Sequence, residues 1–197
     1  RYEQNVGQRV GINAAVRAAR GKYLFKIDAH CRITPDWDQY LRRQAAEATI
    51  LVPPIRSTGH GHIQDYFYVR SNYSNAWWEG FQPGQGRESM SLSGGAWFCE
   101  KSFYEYFGGH LESLGPWGNC GSEMALKCWL SGGRIISVPE VVVDHEYKKP
   151  FRYRPTGIRL HSGRQDLKKL VEANQLPHQI YPMSWLVDRF KPVPTWQ

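Results

Sequence analysis

The chain has 197 residues, 41% of them hydrophobic, enough for one full core with a small appended lobe. No apolar run approaches the roughly 20 residues that span a bilayer, and the opening RYEQNVGQRV has no signal-peptide core, so the expectation is a soluble, cytoplasmic unit unless a targeting segment precedes Arg1. Lys and Arg outnumber Asp and Glu by 25 to 18, and the net charge of +7 suits either an anionic partner or plain solubility. The four cysteines, Cys31, Cys99, Cys120 and Cys128, form no Cys-x-x-Cys pair, which speaks against a zinc ribbon or disulfide scaffold and for buried thiols.

In chain order, small and apolar residues recur at helical spacing from Val6 to Arg20, with Gly21 placed to stop the helix. KYLFKI then reads as a buried strand ending at Asp28. TPDWDQYLRRQAAEA reads as a helix with Thr34 as its cap and Pro35 in its first turn, and TILVPPI as a strand ended by its prolines. This alternation predicts an α/β fold with a mixed, mostly parallel sheet flanked by helices. Residues 56–92, rich in Gly, His and aromatics without a clean period, predict loops and short antiparallel strands across the sheet's end, where recognition is common. GGAWFCEKSFYEYFGG predicts a glycine turn, a strand and a helix, SEMALKCWLSGG a helix, and RIISVP and VVVDHEY two further strands. Beyond Pro150 come a basic stretch, a helix near RQDLKKLVEA and a Pro-rich, aromatic tail. The division predicted is a core over 1–150 and a basic extension over 151–197 packing on it.

The chemistry concentrates where strands end. If strand geometry persists through Asp28-Ala29-His30, the side chains of Asp28 and His30 share a side. VVVDHEY ends another strand in His145, and open α/β sheets bind ligands at the carboxyl ends of their strands. One carboxylate and two imidazoles would suit a borderline divalent cation such as manganese better than calcium. The same letters also fit unrelated surface residues. His60 and His62 in GHGHIQD lie in the irregular segment and read as solvent- or acceptor-facing.

The order GINAAVRAARGKYLFKIDAHC, then SGGAWFCEKSFYEYFGG, then WGNCGSEMALKCWLSGGRIISVPEVVVDHEYKK closely resembles the polypeptide N-acetylgalactosaminyltransferases and related nucleotide-sugar glycosyltransferases of A-type fold, over roughly residues 5–150. The resemblance implies that Asp28, His30 and His145 hold Mn2+ or another divalent cation, which grips the diphosphate of a UDP-sugar. It implies that Gly94 and Gly95 let the backbone approach the donor sugar, that Glu123 and Trp129 are catalytic, with Trp129 also at the donor, and that Lys148 stands where the family has Arg and contacts the diphosphate. Read by themselves, a helical Trp is core packing, Glu123 suits the start of a helix, and Lys148 beside Lys149 suits a solvated face.

Two departures stand out. Gly118, Asn119, Cys120 and Gly121 replace the family's Gly-Gly-Glu-Asn, which leaves Glu123 as the remaining acid of that loop. The family's first strands, which bind the nucleotide, are expected before Arg1. The resulting expectation is a metal-dependent glycosyltransferase moving sugar from a UDP-sugar to a hydroxyl. The acceptor is a protein Ser or Thr, a glycan, or a hydroxymethylated base in DNA, for which Arg152, Arg154, Arg159, Arg164, Lys168 and Lys169 would contact phosphates. The alternative is a non-catalytic nucleotide-sugar or glycan-binding module.

Overall fold

The structure is a computed structural model that describes residues 3–59, 61–84, 86–147 and 162–196. In chain order the elements are α1 (Gln8–Ala18), β1 (Tyr23–Ile27), β2 (Cys31–Ile33), α2 (Trp37–Gln44), β3 (Thr49–Val52), β4 (Ile55–Ser57), β5 (Ile63–Gln64), β6 (Phe67–Val69), β7 (Asn75–Trp77), β8 (Ala96–Glu100), α3 (Lys101–Tyr106), a 3-10 turn (Glu112–Leu114), α4 (Cys120–Leu130), β9 (Arg134–Ser137), β10 (Val143–His145), α5 (Ser162–Glu172) and α6 (Met183–Phe190).

The central sheet runs β1-β8-β3-β9. Alternation along its strands sorts side chains to two faces. Leu24, Ile50, Val52, Trp97, Cys99 and Ile135 join the large cluster that contains α4 residues Met124, Ala125 and Trp129. Their neighbours Leu51 and Phe98 pack with Leu41 of α2, and with Tyr23, Phe25 and Ile136, on the other. A third cluster, Ile55, Ala96 and Val143 with Ile27, Cys31 and Ile33, joins this sheet to the second one, ordered β2-β10-β4-β5.

The sheet is mixed, but it is not mostly parallel. Among the described residues only β3 with β9 and β10 with β4 pair in parallel. The reason is topological: β1 and β3, linked through α2, run the same way, yet β8 inserts between them antiparallel to both. The expected strand TILVPPI is two strands, because Pro53 and Pro54 break the ladder between β3 and β4. Thr34 does not cap α2. Its hydroxyl donates to the Val142 carbonyl at 3.2 Å and accepts the Val142 N–H at 2.9 Å, tying the chain to the approach to β10, while Asp36 occupies the cap position.

Residues 56–92 do form short antiparallel strands, but many of their aromatics are core rather than recognition surface. Tyr66, Tyr68, Tyr73 and Trp78 are buried in the main cluster, and the Trp78 and Phe81 rings stack at 4.1 Å. The C-terminal segment packs into the same core through Leu167, Val171, Leu186 and Phe190, and its aromatic stretch contains α6, which the sequence did not predict. Cys99, Cys120 and Cys128 are buried free thiols, and Cys31 is half-buried. No helix among the described residues is long and apolar enough to cross a membrane.

Candidate metal centre

β1 ends at Ile27, and the chain reverses at once: the Cys31 N–H donates to the Asp28 carbonyl at 3.2 Å, closing a turn over Asp28–Cys31. Asp28 and His30 therefore lie on a turn, not on two alternate positions of one strand. The turn delivers the chain into β2, which pairs antiparallel with β10 so that Cys31 faces His145. His30 precedes Cys31, and this register is what brings the two imidazoles together.

Asp28, His30 and His145 offer ligand atoms that all lie within 4.8 Å of one another. His145 Nε2 is 3.0 Å from His30 Nε2 and 3.3 Å from Asp28 Oδ2. Two imidazole nitrogens and a carboxylate oxygen aimed at one point put lone pairs face to face unless a proton or a cation is shared between them. The set of two nitrogens and one oxygen fits a borderline divalent cation with positions left for other ligands. His145 is 7% exposed, whereas His30 is exposed, so the group opens on the His30 side. Burial would raise the Asp28 carboxyl, but the His145 imidazole and the Lys26 ammonium outweigh it and hold it below the usual range. The Tyr147 ring lies 4.0 Å from that of His145 and steadies it.

The glycine pair borders this group. A Cβ on Gly95 would lie 3.7 Å from both Asp28 Oδ2 and His145 Cδ2 and 3.3 Å from Ser93 Oγ. One on Gly94 would meet the Gly121 nitrogen at 3.6 Å, at the start of α4. The backbone is therefore bare beside the converging ligand atoms.

Residues 1–107 of the sequence match the family profile of glycosyl transferase family 2. The chain belongs to glycosyl transferase family 2. Polypeptide N-acetylgalactosaminyltransferase 10 of Rattus norvegicus is 26% identical to it over 172 residues, covering 79% of this chain and 28% of that protein. Polypeptide N-acetylgalactosaminyltransferase 14 of Homo sapiens is 25% identical over 152 residues, covering 68% and 28%. This family 2 chain thus spans little more than a quarter of the length of those relatives. The crystal structure of GalNAc-T7 with UDP, GalNAc and Mn2+ aligns with 75% of this chain and 32% of that one, with a TM-score of 0.63 at 20% identity. The fold is the A-type glycosyltransferase fold.

Two expected catalytic residues lie in the interior of this family 2 chain. Glu123 has no exposed surface: it pairs with Arg9 Nε at 2.7 Å and Lys127 Nζ at 3.1 Å, lies 3.3 Å from His110 Nδ1 and accepts the Leu111 N–H at 2.6 Å. Its oxygens are fully engaged by the protein. Trp129 is 1% exposed, donates its indole N–H to the Ser89 carbonyl at 3.1 Å, and packs edge-on to Phe190. Neither side chain presents a surface in this structure, and the contacts of each are with the protein's own groups. Lys148 lies outside the described residues, as do His60, Arg152, Arg154 and Arg159. His62 is exposed, as expected, with its ring 6.2 Å from that of Trp77. On α5, Lys168 pairs with Glu172 and Lys169 with Asp166, so much of the described basic cluster is compensated on its own helix. The sequence reading missed Lys26 and Arg9. A lysine two residues before Asp28 in an apolar strand was the available signal for the first. Nothing local marks the second.

Proposed function

We propose that this chain carries the metal- and donor-holding part of a glycosyltransferase that moves a sugar from a UDP-sugar to a hydroxyl on a polypeptide or glycan. The observation that supports it most is the convergence of Asp28, His30 and His145 beside the bare Gly94–Gly95 backbone, in a chain of glycosyl transferase family 2. These three side chains would hold a divalent cation, Mn2+ for preference. When bound, such a cation supplies Lewis-acid neutralisation of the charge that develops on a departing diphosphate. The protein's own part is to keep Asp28 ionised, to fix the His145 ring between β2, β4 and Tyr147, and to leave space at Gly95 for the donor.

The polypeptide acceptor is preferred because the relatives' names specify it for those proteins, while the ion pairs along α5 weaken the case for a phosphate-binding face. His145→Ala should abolish Mn2+ binding measured by calorimetry, and with it metal-dependent hydrolysis of UDP-sugar, while the far-UV circular dichroism stays that of the parent. Retained Mn2+ affinity would sink the metal assignment. Metal and UDP binding without any donor hydrolysis or transfer would instead support the non-catalytic binding module.

A further inference from the structure

Lys26 and Asp28 are two residues apart, and the ammonium of one reaches the carboxylate of the other. Lys26 Nζ lies 2.5 Å from Asp28 Oδ1, 2.5 Å from the Gly94 carbonyl oxygen and 3.3 Å from the Gly95 carbonyl oxygen, and its side chain is 11% exposed. An ammonium has three N–H donors and no acceptor, so these contacts use all three. None is left over for a phosphate, and the group fastens its surroundings instead. The Asp28 N–H also donates to the Gly95 carbonyl, at 3.1 Å. Of the two carboxylate oxygens, Oδ1 is thus taken by Lys26, and Oδ2 is the one that faces His145 Nε2 at 3.3 Å.

We infer that Lys26 is a positioning residue for the metal centre: its ammonium locks the Asp28 carboxylate with Oδ2 toward the two imidazoles and clamps the Gly94–Gly95 backbone against it. The inference rests on the metal-centre reading above. Removing Lys26 has two opposed effects. Taking a positive charge away favours a nearby cation, whereas freeing the carboxylate to rotate disfavours it. Outer partners that orient ligating groups are typically worth roughly 10- to 100-fold in metal affinity, which we set above the gain from removing one charge. Orientation therefore wins.

The test is Mn2+ binding alone, without donor or acceptor, followed by the electron paramagnetic resonance of the free ion. Wild type, Lys26→Met, Lys26→Arg and, as control, Asp28→Asn are compared. Lys26→Met should bind Mn2+ about tenfold or more weakly than wild type with an unchanged far-UV spectrum, and Lys26→Arg, which keeps the charge and the donors, should recover part of the loss. Equal or tighter Mn2+ binding by Lys26→Met overturns the positioning role. If Lys26→Met does not fold, Lys26→Gln takes its place under the same criterion. A wild-type protein that binds no Mn2+ overturns the metal centre itself, and this inference with it, which separates that failure from one confined to Lys26.

Discussion

Glu123 matches a motif, and in the structure its carboxylate is held by the protein's own cations. Arg9 of α1 reaches it from the far end of the chain and also donates to the carbonyls of Gly115 and Gly118, each at 2.7 Å, so the pair fastens the segment that leads into α4. Lys127 shares the same carboxylate and is itself fully buried, with its ammonium 5.3 Å from the Phe107 ring centre. Breaking one partner of such a set leaves buried charge uncompensated, which costs about 3–5 kcal/mol. Glu123→Gln should therefore lower the thermal midpoint by on the order of 10 °C for a chain of this size. In the folded fraction, turnover and UDP affinity should change together. A selective loss of turnover with the midpoint unmoved would return Glu123 to the reacting atoms. The acidic letter was legible in the sequence, but its partner 114 positions away was not.

At the scale of elements, the centre depends on two close approaches. The Asp28–Cys31 turn and the pairing of β2 with β10 bring His30 to His145, and the start of α4 presses against the chain that carries the glycine pair. A Cβ on Gly121 would fall 2.3 Å from the Leu92 carbonyl oxygen and 3.2 Å from the Gly94 nitrogen, both backbone atoms that cannot swing aside. Gly121→Ala should destabilise by about 1–3 kcal/mol through this overpacking, read as a lower urea midpoint with unchanged slope. Gly95→Ala meets only ordinary contact distances apart from the movable Ser93 hydroxyl. It should stay within about 1 kcal/mol of wild type, while its methyl, beside Asp28 and His145, weakens Mn2+ and donor binding. The reverse ranking would show that the glycine pair serves the fold rather than the site. The sequence predicted most of these elements, and it missed β2 and the insertion of β8, because both are fixed by partners remote in the chain.

For the whole molecule, the buried charge cluster sets the response to acid. Burial lowers the His110 imidazole below its ordinary 6.5, so the folded protein keeps it neutral while the unfolded chain takes up a proton. Stability then falls as pH drops below 6.5. Burial would raise the Glu123 carboxyl, but His110, Lys127 and Arg9 hold it far below its ordinary 4.5. Its contribution is complete above 4.5 and is lost as pH falls toward the folded value. Urea unfolding across pH should show two successive declines, the upper one removed in His110→Gln and the lower one flattened in Glu123→Gln. A stability unchanged from pH 7 to 4 would contradict the neutral, buried assignment of His110.

By itself, the sequence determined the α/β class and most helices and strands, because hydrophobic period is a local signal, and through its family resemblance it pointed to the three side chains that converge. Only the tertiary structure decided which polar residues face outward and which are consumed inside. Asp28 and Glu123 are both carboxylates beside cations, yet one keeps an oxygen turned to two imidazoles and the other has every oxygen engaged. That difference comes from strand register and helix packing, which join residues roughly a hundred positions apart, and no local pattern carries it.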